Sequence, residues 1–439
     1  MNTTRQQYSS LGTWWLGEKI VSIFVGLLIQ ITLVRALGTA GFGELSYLVA
    51  VIALLTPISQ AGAAGLVSRA IMQNPSAERG ILQAALRWRL FAALIASLLG
   101  IAYWFFAEHA DRSRAVLVLA AVTQVTLVFQ VVEFRYQATM TPSSLIPWRV
   151  GATLLGASLK IGSAVITQDP AWVMASFAID FVLQAGAHTI AYHRSTGEWL
   201  RPRQHPEWSP WLSARAPWLL VSAVAEVIYL KIDIVMLEQM AGLSQTGLYA
   251  AAAKISEVWY IVPSILMAAW FPLIWAPGTS SDEQNSKLQR VFDIAVLAAL
   301  GIAIGTQVLG DWVIQILYGS DFAAAALLLK IHIWAGVFIF MRAILSKWLI
   351  VHDALKYSLI THAAGTVMNV GLNLWLIPRF GAVGAAMGTV ASYAASSWMT
   401  LFLFSDTRPI AIMMTRSLLI LFRWQALRDN VAFLLRARP

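Results

Sequence analysis

Twelve apolar runs, each about as long as a membrane-crossing helix, fill most of this 439-residue chain and leave only short polar connectors. A spanning helix needs roughly 20 predominantly apolar residues. The runs fall at 12–36, 44–67, 83–107, 115–138, 145–167, 171–192, 213–240, 246–275, 290–309, 323–350, 356–377 and 382–404. Hydrophobic residues make up 58% of the chain and charged residues 12%, with a mean hydropathy of +0.67. A set of soluble domains does not have that balance. The fold class expected is therefore an all-α integral membrane protein. The first run carries Glu18 and Lys19 and lacks a secretory cleavage pattern, so it reads as a retained helix.

The connectors sort by charge. One alternating set holds Arg69, Arg79, Arg87, Arg89, Arg135, Arg194, Arg201, Arg203, Arg215, Lys287, Arg290 and Lys356. The other holds Arg35, Arg112, Arg114 and Arg379 among Asp111, Asp169, Asp311 and Asp321. The positive-inside rule makes the basic set cytoplasmic. Arg5 and the tail arginines (Arg408, Arg416, Arg423, Arg428, Arg436, Arg438) join that side only for an even number of spans, so both termini are expected in the cytoplasm. The net charge of +9 then reports topology and not nucleic-acid binding. The organisation expected is an N-terminal six-helix lobe over 1–193, a cytoplasmic linker over 194–212 and a C-terminal six-helix lobe over 213–405. A basic amphipathic tail follows over 406–439 and lies on the membrane surface.

The lobes echo each other. Gly38-Thr39-Ala40-Gly41-Phe42-Gly43 opens the second span, with Pro57 following. Ser244-Gln245-Thr246-Gly247 opens the eighth, with Pro263 following. Gly38, Gly43, Gly247 and Pro263 are the hairpin and hinge candidates, because glycine permits tight turns and close helix approach. Recurrence at matching places of two halves is the plan of alternating-access carriers.

Ionisable groups interrupt the apolar runs. Glu226 and Asp233 share a face of the seventh span, and Lys254 and Glu257 pair on the eighth. The fifth span has a polar stripe of Arg149, Thr153, Gly156, Lys160 and Ser163. The sixth has Asp180, Gln184 and His188, and the eleventh His362, Thr366, Asn369 and Asn373. A charge at mid-membrane costs about 2.5–3.5 kcal/mol on insertion scales. Eleven such groups (Glu18, Lys19, Lys160, Asp180, Glu226, Lys231, Asp233, Lys254, Glu257, Asp293 and Arg342) would together exceed a folding free energy of roughly 5–15 kcal/mol unless paired or hydrated. Lys19, Lys160, Lys231, Lys254 and Arg342 are candidates to line a cationic cavity for an anionic cargo. Glu18, Asp180, Glu226, Asp233 and Glu257 are the candidate cavity acids, suited to coupling with H⁺ or Na⁺. His362 and Asn369 mark a polar face. Near span ends the bland reading holds: Lys330, Lys347 and Arg35 snorkel, and Asn373 ties helices together.

Several function classes have nothing to stand on. There is no cysteine and no GxxxxGK[ST] phosphate loop, and the seven histidines form no HExxH motif, so no metal or nucleotide cofactor is expected. The outer connectors are too short for a catalytic loop, and the chain is not expected to be an enzyme.

Several segments resemble the polysaccharide-exporter (Wzx-type) branch of the multidrug/oligosaccharidyl-lipid/polysaccharide exporter superfamily. They are Arg35-Ala36-Leu37-Gly38 with Gly41-Phe42-Gly43 and Ser46-Tyr47; Asp233 with Gly247-Leu248-Tyr249, Lys254, Glu257, Pro263 and Phe271-Pro272; Tyr318-Gly319 with Phe322; and Asn369, Asn373 and Pro378 with Gly381 and Gly384-Ala385-Ala386. The resemblance implies a MATE-like, V-shaped bundle of about twelve helices in two pseudo-repeated lobes, sited in a bacterial inner membrane. It implies translocation of undecaprenyl-pyrophosphate-linked repeat units of O-antigen, capsule or exopolysaccharide from the cytoplasmic to the periplasmic leaflet. The implied partners are that glycan lipid, membrane lipids, a polysaccharide polymerase and glycosyltransferases. The alternative is a cation-coupled multidrug antiporter of the same superfamily, whose cavity would be acidic. The lipid II flippase branch usually carries two more C-terminal helices.

Overall fold

The computed structural model describes residues 2–106, 114–276, 278–428 and 430. Asp111, Arg112, Arg436 and Arg438, used above for topology, lie outside the described residues. The regular structure of the described residues is helical, without strands: α1 (Asn2–Gln60), α2 (Ala64–Gln73), α3 (Glu78–Phe106), α4 (Arg114–Thr126), α5 (Val131–Ala138), α6 (Ile146–Thr167), α7 (Pro170–Thr196) and α8 (Trp208–Ala241). They continue with α9 (Leu243–Val258), α10 (Ile261–Ile274), α11 (Ser281–Tyr318), α12 (Ala325–His332), α13 (Ala335–Val351), α14 (Lys356–Phe380), α15 (Ala382–Ser397) and α16 (Arg408–Leu418). The expected spans map onto these in order. α1 holds the first and most of the second, α4 with α5 the fourth, α9 with α10 the eighth, and α12 with α13 the tenth.

By length and apolarity alone, seven helical segments among the described residues qualify as membrane-crossing. Three reasons account for the rest, the first being that α4, α5 and α15, at 13, 8 and 16 residues, are too short to qualify by themselves. α1 and α2 count as one continuous stretch despite a sharp turn at Gly38. α8 and α14 carry the ionisable and amide groups noted above, which lower their hydropathy.

The turn chemistry repeats. Gly38 has φ 65° and ψ −177°, Gly242 has φ 83° and ψ 174°, and Gly319 has φ 88° and ψ −176°. A side chain is strongly disfavoured in that region, so each of these hairpins needs glycine for its backbone. The expectation is corrected in detail here. Gly43 and Gly247 sit buried inside helices, and Gly38 and Gly242 make the turns. Pro263 is the third residue of α10, just past the break after Val258. Pro57 precedes a matching break at Ala61 and Gly62, both with positive φ.

Two compact units divide the chain, Met1–Val227 and Ile228–Pro439. In the first, α6 packs on α7 and α1, and α3 on α1 and α4. Its apolar core gathers Val67, Ile81, Leu82, Val131, Tyr136, Tyr192, Trp208 and Leu212 from the helix ends. The polar 194–212 connector packs within this unit: Glu198 pairs with Arg79 at 2.7 Å, and Gln204 accepts from Arg87 at 2.7 Å.

In the second unit, α14 and α15 form the closest helix pair. α15 supplies Gly384 and Gly388, four apart, on the shared face. A Cβ on Gly384 would lie 2.4 Å from the Leu376 carbonyl oxygen, and one on Gly388 would lie 2.5 Å from Asn373 Oδ1. Lipid tails are as apolar as leucine, so association rests on such close backbone approach. α11 begins at an N-cap serine, with Ser280 accepting from the Glu283 backbone N–H at 3.3 Å. At 38 residues it is about 57 Å long, so its polar first turns extend past a hydrocarbon core about 30 Å thick. α16 docks on those turns through Ile410, Ala411, Met414 and Ser417. α16 is thus packed against α11, with Arg408 and Arg416 exposed.

Candidate functional site

Each unit holds interior charges in ion pairs, and others among neutral polar groups. In the first, the polar stripes of α6 and α7 face each other. Lys160 Nζ lies 2.5 Å from Asp180 Oδ2 and 4.4 Å from the Phe177 ring centroid. Gly156 is what lets Asp180 approach, because a Cβ there would collide with its Oδ1 at 1.9 Å. One turn away Gln184 donates to Thr153 Oγ1 at 3.0 Å. His188 places Nδ1 2.7 Å from the Gln184 carbonyl oxygen. Asp180 Oδ1 and His188 Nε2 are buried without a hydrogen-bond partner.

Further along α6, Arg149 bridges two carboxylates, Glu18 of α1 at 3.0 Å and Glu133 of α5 at 3.1 Å. Arg89 is 1% exposed and donates to the Leu127 carbonyl at 2.8 Å. Glu133 and Arg89 were absent from the sequence-based candidates, because both sit near the ends of their runs and read as interfacial. Lys19, beside the paired Glu18, is exposed on α1. Glu226 is exposed on α8, whereas Asp233, seven residues on, is buried.

The second unit centres on α8, α9 and α15. The expected buried Lys254–Glu257 pair is corrected. Glu257 takes Lys231 Nζ at 2.8 Å, while Lys254 stands 3.7 Å away with 54% of its side chain exposed. The i,i+3 spacing within α9 was legible. The interhelical lysine had no local signature.

Asp233 is 2% exposed. It accepts from the Tyr249 hydroxyl, from Thr389 Oγ1 at 3.1 Å and from the Ile234 backbone N–H at 2.9 Å. His332 packs edge-on against Tyr249. A buried carboxylate with three donors ties α8, α9 and α15 together.

Arg342 of α13 is also buried. It donates to Thr361 Oγ1 at 2.7 Å, to the Ser396 carbonyl at 3.2 Å and to Ser358 Oγ at 3.2 Å, and it meets His362 Nε2. The polar face of α14 turns toward α15. Asn369 donates to Ser392 Oγ at 3.2 Å, and Asn373 donates to Asn369 Oδ1 at 3.0 Å. Lys330 reaches Asp311 at 2.5 Å, an ion pair near a span end. Among the described residues no cluster of histidine and carboxylate side chains is arranged to hold a metal.

The architecture occurs in solved transporters. A structure titled lipid II flippase MurJ, inward closed conformation, superposes with a TM-score of 0.66 at 13% identity, covering 92% of this chain and 90% of that one. An inward-facing multidrug resistance MATE family transporter of the MOP superfamily gives 0.63 at 12% identity, covering 90% and 96%. The fold is thus the all-helical fold of these transporters, as the sequence resemblance implied. By sequence, the chain belongs to the family of polysaccharide biosynthesis proteins, which matches residues 12–276.

Two relatives come from Haloferax volcanii. The "Probable low-salt glycan biosynthesis flippase Agl15" is 22% identical over 180 residues, 40% of this chain and 38% of that protein. The "Probable flippase AglR" is 27% identical over 195 residues, 42% and 39%. The matched region thus spans about two fifths of the length of each relative.

Proposed function

We propose that this chain moves lipid-linked oligosaccharides from one membrane leaflet to the other by alternating access, and that it does so without catalysing a covalent reaction. The observation that carries the reading is the set of paired charges inside a polysaccharide biosynthesis family member: Lys160–Asp180, Glu18–Arg149–Glu133 and Lys231–Glu257. Membrane-embedded ionisable groups are costly and mark substrate or ion pathways. The flippase names of both relatives and the transporter fold support it.

In this reading the glycan stays hydrated while the lipid tail remains in the bilayer. The exposed lysines Lys19 and Lys254 meet the phosphate groups of the carrier. Lys160 in the first unit, and Lys231 and Arg342 in the second, supply positive potential. Asp180, Glu226, Asp233 and Glu257, with Glu18, exchange H⁺ or Na⁺ to reset the carrier. A membrane potential contributes about 2.3 kcal/mol per charge per 100 mV to such a cycle. The carrier lipid we propose is undecaprenyl pyrophosphate, in a bacterial inner membrane with both termini cytoplasmic. The partners would be the glycosyltransferases that build the repeat unit and the polymerase that consumes it. The recurring glycine turns at Gly38 and Gly242 support two pseudo-repeated lobes over 1–193 and 213–405.

Deletion of the gene tests this. Undecaprenyl-linked repeat units should accumulate on the cytoplasmic leaflet and surface glycan should disappear. Unchanged surface glycan with new sensitivity to cationic dyes would sink the proposal in favour of a drug antiporter.

A further inference from the structure

Within the first unit, the 194–212 connector and the start of α8 fold back onto α3. They leave a cleft of about 410 Å³ lined by Arg87, Trp88, Phe91, Gln204, Ser209 and Ser213, with Ala84 and Pro210 at its edge. Among the described residues, Arg87 is the one charged side chain that lines it. Its partner is neutral: Nη1 donates to Gln204 Oε1 at 2.7 Å. The nearby carboxylates are committed elsewhere, Glu198 to Arg79 at 2.7 Å and Glu78 to Arg135 at 2.5 Å. Glu207 is exposed and does not line the cleft, and the exposed Arg201, Arg203 and Arg215 outnumber it along the same segment. The cleft is therefore positive.

Its hydroxyls are arranged unlike each other. Ser209 Oγ accepts from the His205 backbone N–H at 3.0 Å, so its own proton is left to donate outward. Ser213 Oγ donates to the Pro210 carbonyl at 3.0 Å, so its oxygen is left to accept. Trp88 Nε1 donates to the Ala61 carbonyl at 3.3 Å and fixes one wall. An arginine needed only for topology would require water alone. This one stands beside a donor and an acceptor, which together suit a phosphate that carries a hydroxyl.

The depth of the cleft names the kind of molecule. α3 carries no charge from Leu90 to Phe106, so Arg87 sits where the helix enters the hydrocarbon region. Phe91, Leu94, Ile95 and Leu98 follow it as exposed residues along one side of the helix. From Arg87 to Leu98 the helix rises about 16 Å, close to one leaflet's half of a core about 30 Å thick. We infer that this cleft seats an anionic glycerophospholipid with a hydroxyl-bearing headgroup, its phosphate on Arg87 and one acyl chain along Phe91, Leu94, Ile95 and Leu98. Arginine recognises phosphate through several N–H groups at once, and basic pockets at the membrane interface hold such headgroups. Binding here is independent of whether the chain carries glycan.

The test uses the full chain, purified in detergent and depleted of lipid. Native mass spectrometry counts retained phosphatidylglycerol against phosphatidylcholine, which shares the phosphate and tails but has no net charge and no headgroup hydroxyl. Arg87→Gln removes the cation. Gln204→Ala breaks the same hydrogen bond and leaves the cation, so the two variants separate charge from the seating of the connector. A thermal unfolding control accompanies each. The expected outcome is one phosphatidylglycerol retained in preference to phosphatidylcholine, with a loss of about tenfold or more in Arg87→Gln, the size of one charge-assisted contact, and no loss in Gln204→Ala. Should Arg87→Gln fail to fold, Ser209→Ala decides in its place, with weaker phosphatidylglycerol retention expected. Glycerol 3-phosphate, which has the headgroup chemistry without tails, should not displace the lipid at equal concentration. Equal retention of both lipids, retention unchanged in the deciding variant, equal loss in Arg87→Gln and Gln204→Ala, or displacement by glycerol 3-phosphate would overturn the inference.

Discussion

The Lys231–Glu257 pair makes an asymmetric prediction. Both side chains are about a quarter exposed, 29% and 25%, so the pair lies between the surface and interior limits. Breaking a buried pair by removing one partner costs about 3–5 kcal/mol, and an exposed pair is worth about 0.2–1 kcal/mol. For a quarter-exposed pair we take about 2 kcal/mol as the cost of leaving one charge alone. The two deletions differ, however. Remove Lys231, and Glu257 still has Lys254 at 3.7 Å. Remove the Glu257 carboxylate, and no other carboxylate lies within 4 Å of Lys231 among the described residues.

Glu257→Gln should therefore cost about 2 kcal/mol and Lys231→Met about 1 kcal/mol. The double variant should fall within about 1 kcal/mol of the parent, because no unpaired buried charge remains and Lys254 is solvated. Tryptophan fluorescence during SDS titration of the purified protein in mixed micelles would read these differences. If Lys231→Met proves as costly as Glu257→Gln, or if the two costs simply add, the pair does not dominate its surroundings and the reasoning fails. Glycan export in the double variant asks a separate question. A fold restored without export would mean that the charges serve transport and not stability.

Other substitutions probe different terms. At Gly319 an added Cβ meets nothing within 4 Å, so the penalty is backbone alone; Gly319→Ala and Gly319→Val should both destabilise by about 1–3 kcal/mol, and a large gap between them would point to an unseen contact. At Gly388 the obstacle is the Asn373 amide, so Gly388→Val should be far worse than Gly388→Ala in the same titration. Gly156→Ala should push Asp180 away from Lys160 and destabilise by about 1–3 kcal/mol through overpacking; stability equal to the parent would show that the helices can part cheaply there. Asp293→Asn should weaken the hold of Arg423 and Asn430 on α11 and speed tryptic cleavage within the tail, measured as the rate of C-terminal trimming; an unchanged rate would mean that the apolar face of α16 suffices.

The order and approximate limits of the spans were readable because apolar run length is a one-dimensional quantity. The pairing of their charges was not. Lys254 and Glu257 looked like partners because i,i+3 is visible along one helix, yet Lys231, on another helix, is the closer partner. Glu133 was passed over because it lies near the end of a run, where an acid is cheap. Only its approach to Arg149 from a different helix gives it a role. The hairpin glycines divide the same way. Glycine-rich entries were evident at both corresponding places, but which glycine turns depends on its backbone angles, and a glycine inside a helix looks the same in sequence as one at a corner.

That division bears on how the interior charges should be viewed. Read as a list, Lys160, Lys231 and Arg342 suggested cations lining a cavity, paired or hydrated by groups the list did not identify. In place, each is held: by Asp180, by Glu257, and by Thr361, Ser358 and His362. A held cation attracts an anion less than a free one does, but it can be handed over. If an acid such as Asp180 or Glu257 gains a proton or Na⁺, its lysine loses its counter-charge and becomes available to phosphate. Binding of a coupling ion and binding of an anionic cargo would then be the two halves of one exchange at the same pair, and they would help each other. Such mutual help is reciprocal by thermodynamic necessity. Under the proposed function, acidification or added Na⁺ should therefore tighten binding of the diphosphate carrier, and the carrier should tighten binding of the ion by the same factor. Carrier affinity independent of both ions would leave the pairs as structural ties and move the cargo contacts to the exposed Lys19 and Lys254.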